Sequence, residues 1–178
     1  ALGVPTTADN CSVASVTNNA PAIFPLGNTT VTWTVTDGSG LTATCNQIVT
    51  VNDTENPTIT CPADVSVNSD AGICTASGVA LGVPTTADNC SVASVTNNAP
   101  ATFPLGNTTV TWTVTDGSGL TATCDQIVTV TDIELPTIAC PIDVSVNADA
   151  GICTASGVAL GVPVSGDNCS VASVTNNA

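Results

Sequence analysis

The side chains able to do chemistry here are carboxylates, carboxamides and thiols. The 178 residues include 14 Asp and Glu but no Lys, Arg or His, for a formal charge of −14. With no imidazole, no amine and no Gly-x-Ser-x-Gly elbow, the usual general bases, Schiff-base formers and activated nucleophiles are absent. A carboxylate pair serves a glycosidase, but these Asp residues fall at turns and junctions of units too small for a substrate cleft. No enzyme is expected. Oxygen-only ligands instead suit a hard cation such as Ca²⁺. The candidates recur in groups: Asp53, Glu55, Asp88, Asn89 and Asp116, then Asp132, Glu134, Asp167 and Asn168. The charge also excludes partners. A chain without one cation cannot neutralise phosphates, which argues against nucleic acid, and an anionic membrane surface repels it.

The groups recur because the whole sequence does. Asp/Asn-Cys-Ser-Val-Ala-Ser-Val-Thr-Asn-Asn-Ala begins at Asp9, Asp88 and Asp167, and at that 79-residue offset residues 1–79 and 80–158 differ at eight positions. Fixed-period near identity marks an array of small domains. Stalks, adhesins and fibres use such copying, and enzymes rarely do. The acidic, Pro-containing stretches around Asp53–Pro57 and Asp132–Pro136 are the most variable, and Pro holds its predecessor extended. They divide the chain into residues 1–52, the C-terminal part of a repeat; 53–131, a complete repeat; and 132–178, the N-terminal part of a third. The sequence is therefore expected to be a window on a longer array. No apolar run reaches membrane-spanning length and no signal peptide is visible.

Each period carries four cysteines, represented by Cys61, Cys74, Cys90 and Cys124. Two disulfides bracing a modest core fit a unit of this size, and the absence of His and of Cys-x-x-Cys disfavours zinc. Disulfides imply an oxidising compartment, outside the cell or in a periplasm, and an extracellular or cell-surface location is expected. The elements that position these residues are strands. Thr109–Thr115 alternates strictly, with Val110, Trp112 and Val114 on one face and threonines on the other. Leu120–Cys124 continues the pattern after the Asp116-Gly-Ser-Gly119 turn, and Asp64–Asn68 and Ser91–Val95 add shorter strands. The prediction is all-β, with tandem small immunoglobulin-like β-sandwich repeats.

Asp132 to Pro141, Asp88-Asn-Cys90, Phe103-Pro-Leu-Gly to Trp112, Thr115-Asp-Gly-Ser-Gly119, and Ala122-Thr-Cys124 before Val128-Thr-Val130 come in an order that resembles the hyalin repeat, or HYR, domain. One departure is Leu120, where that family often has Asn. The resemblance covers the whole period and implies an immunoglobulin-like extracellular module used in adhesion or scaffolding, without naming a ligand. In such a sandwich the first and last strands lie together, which favours Cys61–Cys124 and leaves Cys74–Cys90, with Cys153–Cys169 its equivalent in the next copy. Three connectivities exist, and bridges between domains are the main alternative. The linker and the loops carrying Asp88-Asn89 and Asp116 fall at one end, so the acidic groups above are expected to hold Ca²⁺ at the junctions, somewhat as cadherin linkers do. Ordinary turn-forming Asp and Asn would look the same in sequence.

The expected function is an extracellular structural or adhesive array forming a stalk, adhesin or filament. Its expected partners are further copies of itself, surface glycans or matrix proteins. A glycan-binding or ice-binding module using exposed Thr and Asn faces is the alternative. Asn28 and Asn107 match the N-glycosylation sequon, as do Asn10, Asn89 and Asn168.

Overall fold

A computed structural model describes residues 2–177. Among them are thirteen strands and no helix: β1 Val13–Asn18, β2 Gly27–Asp37, β3 Thr42–Val51, β4 Thr58–Thr60, β5 Val65–Asn68, β6 Thr75–Ser77, β7 Thr85–Ala87, β8 Val92–Asn97, β9 Thr102–Pro104, β10 Gly106–Asp116, β11 Thr121–Thr131, β12 Thr137–Ala139 and β13 Val164–Gly166. The four-stranded sheet runs β5-β11-β10-β8. Its spine is the β10–β11 hairpin, paired from Gly106↔Val130 to Thr115↔Thr121. That hairpin turns at Asp116-Gly-Ser-Gly119, where Gly119 takes φ 89°, a conformation that costs a residue with a Cβ. β5 joins the free side of β11 in parallel, Val65 opposite Val128. The short pairs β4–β7 and β6–β9 form the facing layer, with β4 and β9 against β10 and β11.

The core follows from the period-2 alternation. Val110 and Trp112 from β10 pack with Val128 and Val130 from β11 and with Phe103 and Ala76 across from them, all buried, and Val114 is buried further along β10. Ile59, Val65, Val67 and Leu81 close the rim. At roughly 1.5–3 kcal/mol for each large apolar side chain taken fully out of water, this small set is the main source of stability. Among its apolar groups lies one polar side chain. Gln126 is 0% exposed; its Oε1 accepts from Trp112 Nε1 at 3.1 Å and its Nε2 donates to Ala63 O at 2.6 Å and Leu81 O at 2.9 Å. The amide thereby ties the hairpin to the loops of the facing layer. On the threonine face, Thr111 Oγ1 of β10 donates to Asp125 Oδ1 and Thr129 Oγ1 of β11 to Asn107 Oδ1.

The flanking segments repeat parts of this plan. β1-β2-β3 reproduces β8-β10-β11 in identical register, with no counterpart of β5 along β3 among the described residues. β12–β13 reproduces β4–β7. In the first segment Val35, Val49 and Val51 are only half-buried where Val114, Val128 and Val130 are buried.

One disulfide joins Cys61, just past β4, to Cys124 on β11, Cα–Cα 5.7 Å. The expected Cys74–Cys90 bridge does not form, nor does Cys153–Cys169. Cys74 is bonded to Cys169, 95 residues on and in the next repeat, Cα–Cα 4.8 Å. The cause lies in the turn at residues 70–74, closed by Asp70 N to Thr75 O and Ile73 N to Asp70 O. It reaches over to the following repeat instead of folding back on residues 88–90, and Cys90 stays at the opposite junction.

Candidate cation site and domain junction

Three aspartates converge where residues 52–55 enter the repeat. Each uses one carboxylate oxygen to hold its own loop. Asp53 Oδ1 accepts from Glu55 N, Asp88 Oδ2 from Cys90 N and Ser91 N, and Asp116 Oδ1 from Ser118 N and Leu120 N. These are the short-range side-chain turns that Asp favours, and they aim the second oxygen inward. Asp53 Oδ2, Asp88 Oδ1 and Asp116 Oδ2 are all buried with no hydrogen-bond partner. The three residues offer oxygens within 4.8 Å of one another, and Asp116 as a whole is 2% exposed. Turn formation accounts for one oxygen of each. It leaves the other three unexplained, since buried carboxylate oxygens without a partner are costly. No cationic side chain exists in the chain to offset them. An all-oxygen set with two or more negative charges is the donor chemistry that Ca²⁺ selects, so these residues fit such an ion.

Of the expected ligands around this point, the structure brings together Asp53, Asp88 and Asp116. Glu55 is held through its backbone N–H, and Asn89 is exposed. Cys90 lies beside the group. Its thiol is pushed above the ordinary range by desolvation first, then by the negative charge of Asp53, Asp88 and Asp116.

At the next junction the equivalents are arranged around a contact between repeats. Asp132 Oδ1 accepts from Glu134 N, and Asp167 Oδ2 from Cys169 N and Ser170 N. Asp132, Asp167 and the sulfur of Cys169 form a second close group. The Glu134 carboxylate accepts from Gly72 N at 3.0 and 3.2 Å. Asn168 Nδ2 donates to Ile73 O at 3.2 Å and to Asp132 Oδ1 at 3.3 Å, while its Oδ1 is buried without a partner. Glu134 and Asn168, expected as metal ligands, thus grip the 70–74 turn of the preceding repeat, next to the Cys74–Cys169 bond. Sequence reasoning missed this turn as a docking element; the signal for it was Asp70-Ala-Gly-Ile-Cys74, repeated intact at Asp149–Cys153.

The HYR domain family model matches residues 3–51 and 52–130. No curated protein matches the chain. Among solved structures it is similar to one described as the protocadherin gammaB7 EC3-6 cis-dimer, at 18% identity and TM-score 0.32, over 63% of this chain and 34% of that one. The chain thus spans about a third of that protein's length. Among the described residues no helix is long and apolar enough to cross a membrane. Two adjacent matches over most of the sequence, on an all-β frame, establish that the chain belongs to the HYR domain family.

Proposed function

We propose that the chain is a mechanical element: part of a tandem array, divided at about residues 53 and 132, that forms an extracellular stalk, adhesin or filament. Its junctions are stiffened by a disulfide and by Ca²⁺. The observation that carries the reading is the set of three partnerless carboxylate oxygens on Asp53, Asp88 and Asp116, placed where one repeat joins the next. Linker and loops contribute to the same group, so a bound ion would couple the orientation of neighbouring repeats. When bound, Ca²⁺ supplies positive charge; the chain supplies the rigid turns that hold the oxygens in place. Of the threonines that a glycan-binding or ice-binding face would use, Thr111 and Thr129 spend their hydroxyls on cross-strand bonds.

The test is thermal unfolding of the chain with added calcium. Extracellular calcium modules commonly bind at about 10⁻⁴–10⁻³ M, and ten to a hundred times the dissociation constant stabilises by roughly 1–3 kcal/mol. Asp116→Asn should blunt that gain. Asp64→Asn should not, because Asp64 serves Ile127 N on the other side of the sheet. Sodium at matched ionic strength controls for screening. If sodium reproduces the whole gain, or if Asp64→Asn removes as much as Asp116→Asn, the ion is not part of the function.

A further inference from the structure

The bond between Cys74 and Cys169 is a covalent step of 4.8 Å between Cα atoms, across a stretch that the backbone covers in 95 residues. That stretch contains β6 to β13. Phe103, Val110, Trp112, Val128 and Val130, the large side chains of the buried cluster, all lie on it, and so does the linker with Pro136. The other bridge, Cys61–Cys124, spans 63 residues, but Cys61 precedes Cys74 and Cys124 lies inside the bypassed stretch. It therefore ties the segment of β4 and β5 to the hairpin without giving a shorter way along the chain.

The noncovalent contacts at this junction gather at the same point. Gly72 N donates to the Glu134 carboxylate, and Ile73 O accepts from Asn168 Nδ2. Three consecutive residues, Gly72, Ile73 and Cys74, thus hold the next repeat, two of them through the neighbours Asn168 and Cys169. On its own side the turn is closed by Asp70 N to Thr75 O and Ile73 N to Asp70 O, and Asp70 Oδ2 accepts from Ser77 N and Oγ. A compact turn fixed on both sides can transmit a pull. The main-chain route instead runs through residues 132–136, which form no strand.

We infer that Cys74–Cys169 is the path by which tension crosses from one repeat to the next, so that the β10–β11 spine and the linker hang on a slack loop and the chain acts as a tether of limited length. The reason is geometric. A chain under tension straightens along its shortest covalent route, at about 3.3–3.6 Å per residue. Once the bond is taut, β10 and β11 feel no pull, and the core they carry is not drawn open. Without the bond the same tension would run through both strands, and opening them would release their length. This deepens the mechanical-array reading, on which it rests for the direction of the pull, by separating a tether from a spring. It does not depend on calcium.

The experiment stretches single molecules of the 178-residue chain between handles fused to its two ends and reads the fully extended length. The five cysteines without a bridge are exposed, and they are alkylated first so that they cannot exchange. Dithiothreitol should lengthen the oxidised chain by the 95-residue separation of the junction bond, about 310–340 Å. Cys74→Ser without reductant leaves Cys61–Cys124 as the shortcut, so it should lengthen the chain by the difference between the two separations, roughly 110 Å. Cys169→Ser should do the same. Cys61→Ser with Cys124→Ser should leave the oxidised length unchanged, because that bridge is off the path. A gain in dithiothreitol of only about 210–230 Å, the share of the 63-residue bridge, would overturn the inference. So would a longer oxidised chain in the variant lacking Cys61 and Cys124. If the lengths fail in either way while calcium still raises the unfolding temperature, the array reading stands and the tether alone is wrong.

Discussion

Gln126 offers a sharp test of what holds a repeat together, because the chain contains its own control. In the complete repeat the amide bridges Trp112 Nε1, Ala63 O and Leu81 O while fully buried. Gln47, one period earlier, is half-buried and has the Trp33 bond alone of these three. Leucine has nearly the volume of glutamine, so Gln→Leu removes hydrogen bonds without opening a large cavity. Three bonds at about 1 kcal/mol each, plus the penalty of a stranded indole N–H, put the cost of Gln126→Leu at about 3–4 kcal/mol. Gln47→Leu loses one bond at a site water can reach, and should cost about 0.5–1 kcal/mol. Urea unfolding followed by tryptophan fluorescence measures both, with Trp33→Phe isolating the Trp112 signal and Trp112→Phe isolating that of Trp33. The reasoning is refuted if the two substitutions cost the same, or if Gln126→Leu costs less than about 1 kcal/mol.

Three further outcomes follow from the junctions and loops. Removing Cys61–Cys124, with its sequence separation of 63, should lower the stability of the complete repeat by about 4 kcal/mol on the chain-entropy estimate, read from urea midpoints of a Cys61→Ser, Cys124→Ser pair. Glu134→Ala should leave that midpoint unchanged but speed amide hydrogen exchange at Gly72 about tenfold, because its carboxylate is the acceptor for that N–H; unchanged exchange would mean the contact is idle. The carboxyl of Asp9 is held below the ordinary range by backbone N–H bonds from Cys11 and then Ser12. Its contribution to folding is therefore present above the ordinary Asp range and fades as pH falls through the lowered folded value, which carbon-detected NMR titration of Asp9 and Asp9→Asn would show.

The sequence made the sheet spine legible because alternation is a local property. Val110, Trp112 and Val114 declared their face without reference to anything else in the chain, and the Asp116-Gly-Ser-Gly119 turn declared the hairpin. The three-residue strands β4, β6, β7 and β9 carried too few residues for a pattern, and they exist because the hairpin gives them something to pack on. Gln126 was hidden for a similar reason. Its place two residues before Val128 puts it on the inward face, but the carbonyls of Ala63 and Leu81 that satisfy it there lie far off in sequence.

The second disulfide was hidden for a different reason, which belongs to repeats as a class. Cys90 and Cys169 are the same residue of the period, in the same Asp-Asn-Cys-Ser setting. No local feature can say which of them Cys74 meets. Assigning Cys61 to Cys124 left Cys90 as the partner within the repeat, with a bridge between domains as the alternative, and the alternative is what forms. What decides is the direction in which the 70–74 turn projects, set by the packing of β6 and β9, and it points to Glu134, Asn168 and Cys169. In a tandem array every contact read from sequence is known only to within a whole number of periods. A contact resolved one period further along changes its meaning altogether: the bond that would have braced one domain becomes the bond that joins two. The near identity of the copies, which makes intra-repeat and inter-repeat partners indistinguishable in sequence, is also what lets one junction geometry serve every junction.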